Sequence, residues 1–332
     1  MLQKIQFKAG FNKQDTDTGA EGQWVDGDNV RFRYGQPEKI GGWTQLTASL
    51  LAGPARDQHT WTDLTGKKYS AIGTSKVLVI YYEGAFYDIT PLDADQTGVT
   101  FTSSNGSPTV TVNLTGHGVV VGDYVKFKSV TLPGGGATSF TDANFTTNPF
   151  EVISQPTTNT FTITMPANET GSGMSSAGSA TMNKYVTIGP IKQTPAYGWG
   201  VDTWGSEKWG EEASTTNVEL DAGSWSLDNF GQLLVATVRN GKSISCWLRY
   251  NFKRICCKSP TAASALDTRA TAVSGAPDKS LMSLVSDRDR HLFLIGTLDT
   301  LGDSTSQNKM FIRFSDQESI GTYQPTATNT AG

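Results

Sequence analysis

Thr109-Val110-Thr111-Val112, Tyr124-Val125-Lys126-Phe127-Lys128 and Thr160-Phe161-Thr162-Ile163-Thr164 alternate polar and apolar side chains without a break. Successive side chains of an extended strand point to opposite faces, so a period of two fits a half-buried β-strand and no helix. This pattern narrows the fold more than any other feature, because the chain hardly offers the competing period. The one stretch with helical character is Ala262 to Ala272. Thr fills 43 of the 332 positions, and its β-branch loses χ1 freedom in a helix while suiting a pleated surface. With 35 Gly and 13 Pro to punctuate short segments, the expected fold class is all-β, built from antiparallel strands and tight turns.

Charge is distributed unevenly. Residues 97–183 carry six charged side chains in 87 positions, whereas the other 245 positions carry 52. The same stretch holds 18 threonines, a loop at Pro133-Gly134-Gly135-Gly136 and a Gly/Ser-rich run from Gly171 to Ser179. Such a shift at both ends marks a domain boundary. Residues 93–186 therefore read as a small β-barrel or sandwich inserted into a discontinuous platform of residues 1–92 and 187–332.

The flanks repeat a strand–turn–strand unit. Tyr69 to Ile89 bends at Glu83-Gly84, Trp225 to Tyr250 bends at Asn240-Gly241, and Leu284 to Tyr323 holds His291-Leu292-Phe293-Leu294-Ile295 and Met310-Phe311-Ile312-Arg313-Phe314. Asn-Gly is a strong two-residue hairpin signal. Polar turns beside aromatic-rich strand pairs suggest a propeller-like array of antiparallel sheets. Three units are too few for a closed ring, so either partners or further chain complete the sheet or the chain forms no ring of its own.

The formal net charge is −4, with a pI near 5.5. Tight nucleic-acid binding draws on counterion release at a concentrated Lys/Arg face, and no basic run is longer than Lys67-Lys68. A mildly acidic surface repels phosphate and suits a wall that DNA slides past. Met1 to Phe7 lacks the unbroken apolar core of a signal peptide. No apolar run reaches the roughly 18 residues of a membrane helix. Cys246, Cys256 and Cys257 form neither a disulfide framework nor a zinc spacing, which points to synthesis in a reducing cytoplasm.

Several motifs invite a chemical reading and have a plainer one. Asn240-Gly241-Lys242-Ser243 ends like a phosphate loop, but Ala236 stands where the first glycine belongs and no helix follows, so a hairpin tip is expected. Asp15, Asp17 and Glu21 crowd a short loop without the twelve-residue ligand spread of an EF-hand. Asp287 and Asp289, with Asp316 and Glu318, could act as a glycosidase pair, yet Arg288, Arg290 and Arg313 alternate with them as in strand-edge ion pairs. His59, His117 and His291 are isolated in sequence. In Arg31-Phe32-Arg33-Tyr34, alternation places Val30, Phe32 and Tyr34 toward a core and the arginines outward. The Trp-Gly steps at Trp199, Trp204 and Trp209 fit neither helix nor strand spacing. They are the candidate subunit-interface aromatics, since Trp is favoured in interface cores. No catalytic, cofactor or metal residue is expected.

Gly22-Gln23-Trp24-Val25-Asp26-Gly27-Asp28-Asn29-Val30-Arg31-Phe32-Arg33-Tyr34-Gly35 with Pro37 to Trp43, the three Trp-Gly steps, Val285 to His291 and Arg313 to Ser319 together resemble the tail nozzle or tail tubular proteins of short-tailed bacteriophages. The resemblance covers both flanks, about two thirds of the chain, and Val285 to Ser319 is its most specific part. It implies a non-enzymatic virion protein forming a ring, commonly a hexamer. The expected partners are the head-to-tail adaptor above, tail fibre or tip proteins, and transient, non-specific contact with the exiting genome. Relatives of this kind often run on past a segment like Thr326 to Gly332. The other classes weighed are a peripheral adhesin for host-surface glycan and a polysaccharide depolymerase.

Overall fold

The computed structural model describes residues 7–42, 44–45, 47, 50–186, 188–189, 222–239, 255–258 and 269–332. The fold is all-β: among the described residues the strands are antiparallel and the only helix has five residues. The chain divides into two compact units, Met1–Ser49 and Leu50–Gly332.

The first unit contains one hairpin, β1 (Val30–Arg33) with β2 (Gln36–Lys39). Phe32 packs edge-on against Phe11 at 5.2 Å, and Trp24 lies 5.3 Å from Phe7. Tyr34 departs from the core position expected of it. It sits in the turn at φ 50°, beside Gly35 at φ 81°, and is 91% exposed, with the Arg33 guanidinium 5.3 Å over its ring. The alternation holds only while the backbone stays extended, and the left-handed turn ends it.

The second unit begins with a four-stranded meander: β3 (Ala55–Thr62), β4 (Lys68–Thr74), β5 (Leu78–Tyr82) and β6 (Ala85–Asp88). Glu83 at φ 47° and Gly84 at φ 87° make the two-residue turn between β5 and β6. Trp61, Tyr69, Leu78, Ile80 and Tyr82 are buried on one face.

The chain then builds a seven-stranded sheet from β7 (Gln96–Ser103), β8 (Thr109–Asn113), β9 (Tyr124–Thr131), β10 (Phe150–Glu151), β11 (Ser154–Thr157), β12 (Thr160–Thr164) and β13 (Ala177–Lys184), in the order β10-β9-β13-β7-β8-β12-β11. Its edge strands β10 and β11 are separated by only Val152 and Ile153, so the sheet curls until its edges approach one another. The inward alternate residues Phe101, Val110, Val112, Phe127, Phe161 and Ile163 are at most 1% exposed. Burying each contributes roughly 1.5–3 kcal/mol. Helix α1 (Asp142–Thr146) plugs this core with Phe145, 4.5 Å from the Phe101 ring, while the Asn144 side chain accepts the Thr141 amide at 2.8 Å.

Two further sheets follow. Counting the β3–β6 meander as the first, the second sheet is β14 (Ser224–Phe230), β15 (Leu233–Arg239), β16 (Ile255–Lys258) and β17 (Thr271–Ala272), and the third is β18 (Met282–Val285), β19 (Leu292–Ile295) and β20 (Ile312–Phe314). Strand β14 contacts β3 on one side and β18 on the other, so the first strands of the three sheets stand in series. Trp225, Leu234, Ala236 and Val238 complete the core begun by the first sheet; Phe230, Val235, Val285, Leu292 and Leu294 form the next. Gly73 makes the first joint possible. A Cβ there would lie 2.3 Å from Trp225 Cδ1, and the Trp225 indole donates to the Thr74 carbonyl at 2.8 Å.

Two segments differ from expectation. Thr271 and Ala272, the end of the stretch with helical character, form β17 against Cys256 and Cys257. Met310 and Phe311 belong to the turn before β20 rather than to the strand. Trp199, Trp204, Trp209 and the Asn240-Gly241-Lys242-Ser243 tip lie outside the described residues.

Candidate functional site

Of the carboxylates and histidines singled out in the sequence, Asp316 and the three histidines make structural hydrogen bonds. Asp316 accepts the Thr330 amide at 2.9 Å and its hydroxyl at 2.8 Å, and these bonds hold its carboxyl below the usual range. Glu318 pairs with Arg290 at 3.1 Å, both half-exposed, while Asp287 and Asp289 lie exposed in the turn after β18. Arg313 is buried instead, its guanidinium donating to the Leu298 and Asp299 carbonyls. His117 is 1% exposed; its Nδ1 accepts the Val119 amide at 3.1 Å, and burial pushes its pKa down. His59 Nε2 meets Asn229 Oδ1 at 2.8 Å, and His291 Nδ1 meets the Ser315 carbonyl at 2.7 Å. Among the described residues no group of three or more His, Cys, Asp or Glu could hold a metal ion, Asp15, Asp17 and Glu21 included. No helix among them is long and apolar enough to cross a membrane.

Three polar features that the sequence did not announce carry structural weight. Glu169 is fully buried among five donors: the Ser103, Thr138 and Ser139 hydroxyls and the Ser139 and Gly171 amides, at 2.6–3.0 Å. Burial alone would raise its pKa, but the Thr138, Ser139 and Gly171 bonds outweigh it and hold the carboxyl at about 2. Asp88 ties the platform to the chain leaving the seven-stranded sheet, accepting Tyr185 Oη at 2.6 Å and Arg269 Nη1 at 2.6 Å. Burial, then the Asp88 charge, pushes the Tyr185 phenol up.

The third feature repeats. Asp57 on β3 accepts the Leu227 amide of β14 at 3.0 Å, and Asp228 on β14 accepts the Val285 amide of β18 at 2.7 Å. Each joint between sheets thus has an apolar contact and one carboxylate pin from first strand to first strand. A charge-assisted bond of this kind contributes about 1.5–3 kcal/mol.

The third sheet keeps an apolar face that the described residues cover only in part, with His291 and Gly332 against Phe314. In the third sheet, Met282 pairs with Ile295 and Ile295 with Ile312; Leu284 pairs with Phe293 and Phe293 with Phe314. These six side chains share the face turned away from the second sheet, since Ser283, Val285, Leu292 and Leu294 are the buried alternates. Met282 is 37% exposed, Leu284 52% and Ile312 53%. Contiguous apolar surface of this kind marks an interaction site. It is the candidate functional surface.

Comparison with known proteins adds little. No protein-family model matches the chain, and no curated protein does. Among solved structures it is similar to Phage phi92 endosialidase, at 12% identity and a TM-score of 0.24, over 89% of this chain and 50% of that one. The chain spans half the length of that structure, and a likeness this distant carries no argument about function.

Proposed function

We propose that this chain is a virion structural protein of a phage tail, a nozzle or tail-tube component. In this reading it assembles as a homo-oligomer, six copies by the resemblance, between the head-to-tail adaptor and the tail fibre or tip proteins. The ring retains the genome and then conducts it out, so the action is mechanical.

One observation supports this above the others. The segments that carry the nozzle resemblance, Val285 to His291 and Arg313 to Ser319, supply the β18–β19 turn and the end of β20 with the loop after it, and so flank the third sheet, whose exposed apolar side chains invite assembly. Labelling this chain in intact particles with a gold-conjugated antibody tests the reading. Label on the tail axis, between head and tip, is the expected result. Label confined to peripheral appendages would favour a glycan-binding adhesin, and clearing of host polysaccharide by the purified protein would favour a depolymerase; either overturns the tail-tube role.

A further inference from the structure

We infer that the open face of the third sheet docks on the first sheet of a second copy of this chain, head to tail. The inference rests on the oligomeric reading above and names the surfaces that would carry it. Within the chain the same type of face is covered twice, by β14 on the first sheet and by β18 on the second, and each joint is pinned by a side chain on a first strand. The pins follow a rule. Asp57 holds the Leu227 amide and the next residue, Asp228, holds the following sheet; Asp228 holds the Val285 amide, and the next residue is Ser286. Ser286 faces outward beside Leu284, and no hydrogen bond of its hydroxyl is seen among the described residues. The third face therefore keeps the layout of a joint, with a shorter polar pin and a larger apolar area.

The matching surface lies at the other end of the array. The outward side of the first sheet is covered in part by Leu51, Leu92, Tyr124 and Tyr185. Along β3, β4 and β5 a shallow hollow of about 280 Å³ is bordered by Thr60, Trp61, Thr62, Lys68, Tyr69, Ser70 and Tyr81. Leu284 and Met310, the latter 89% exposed, project from the opposite end as knobs for such a hole. A knob and a hole on different surfaces make a heterologous contact, which generates a ring when the rotation closes.

The test uses the full chain. Sedimentation velocity over a concentration series should show self-association of the wild type. Leu284→Glu with Ile312→Glu should weaken it about tenfold or more while leaving the melting temperature unchanged at dilutions where both proteins are monomeric, because both side chains are half-exposed. A photo-cross-linking residue at Leu284 should couple to a neighbouring copy within residues 58–81. A wild type that stays monomeric up to its solubility limit, or charge substitutions that leave association intact, would overturn the assignment. So would cross-links that land on another surface, and in that case the tail-ring reading stands, since it is judged by where the chain sits in the particle.

Discussion

Replacing Glu169 by Gln keeps the shape of the side chain and removes its charge. Five donors converge on the two carboxylate oxygens, three on Oε1 and two on Oε2. An amide nitrogen in place of Oε1 would face the Ser139 and Gly171 amides, and in place of Oε2 it would force the Ser103 and Thr138 hydroxyls to reorient, so neither placement keeps all five bonds in a site with no exposure. The carboxyl is held at about 2 against an ordinary 4.5. At roughly 1.4 kcal/mol per pH unit, this difference corresponds to about 3 kcal/mol of preference for the charged form. The folded-state value is depressed, so the contribution is complete above pH 4.5 and is lost as pH falls toward 2. The variant should therefore lose about 3 kcal/mol at pH 7, and the gap to the wild type should shrink steadily below pH 4.5. None of the eight tryptophans lies in residues 96–184, so indole fluorescence does not report on this sheet. Amide hydrogen exchange in peptides covering β8 and β12 does. A loss below about 0.5 kcal/mol at pH 7, the ordinary range for surface substitutions, or a gap that stays the same at pH 3, would refute the role given to this carboxylate.

Gly73→Ala should destabilise the platform by about 1–3 kcal/mol, because the added methyl overpacks the Trp225 seat; Trp225→Leu in the same chain should recover part of the loss in thermal melts, as expected for touching residues. Asp228→Ala leaves the Val285 amide without its acceptor and should cost about 1–3 kcal/mol in urea unfolding, with Asp228→Asn, which keeps an oxygen in place, costing less. The isolated protein should bind short duplex DNA no better than non-specifically at physiological salt, given 27 basic against 31 acidic residues; submicromolar binding with a steep salt slope in fluorescence anisotropy would count against a smooth conduit.

Much of the strand content was legible because its signal is local. Thr109 to Val112 and Thr160 to Thr164 alternate as β8 and β12 do, and the chain turns at Glu83-Gly84, where Gly84 takes its positive φ without strain. Misreadings arose where a local pattern crossed a boundary it does not encode. Alternation through Arg31 to Tyr34 runs into a left-handed turn, and the Ala-rich stretch ending at Ala272 finishes as an edge strand because β16 offers it a partner. The joints were not legible. Asp57 and Leu227 are 170 residues apart, as are His59 and Asn229, and an isolated Asp in a strand reads as a surface residue. Glu169 gave no signal for a similar reason: its donors come from three separate places, the end of β7 at Ser103 and the loops at Thr138–Ser139 and Gly171. The open face left a trace in Met282, Leu284, Phe293 and Ile295, but alternation cannot say which of two apolar faces the fold will cover.

The central claim, that sheets stacked first strand to first strand build an oligomeric tail conduit, is tested most directly by reconstructing the tail of the intact particle with this chain located in it. The account predicts a closed ring of copies on the tail axis, with a central opening wide enough for duplex DNA. Copies found as monomers or trimers on the tail periphery, or a ring whose opening excludes the duplex, would contradict it.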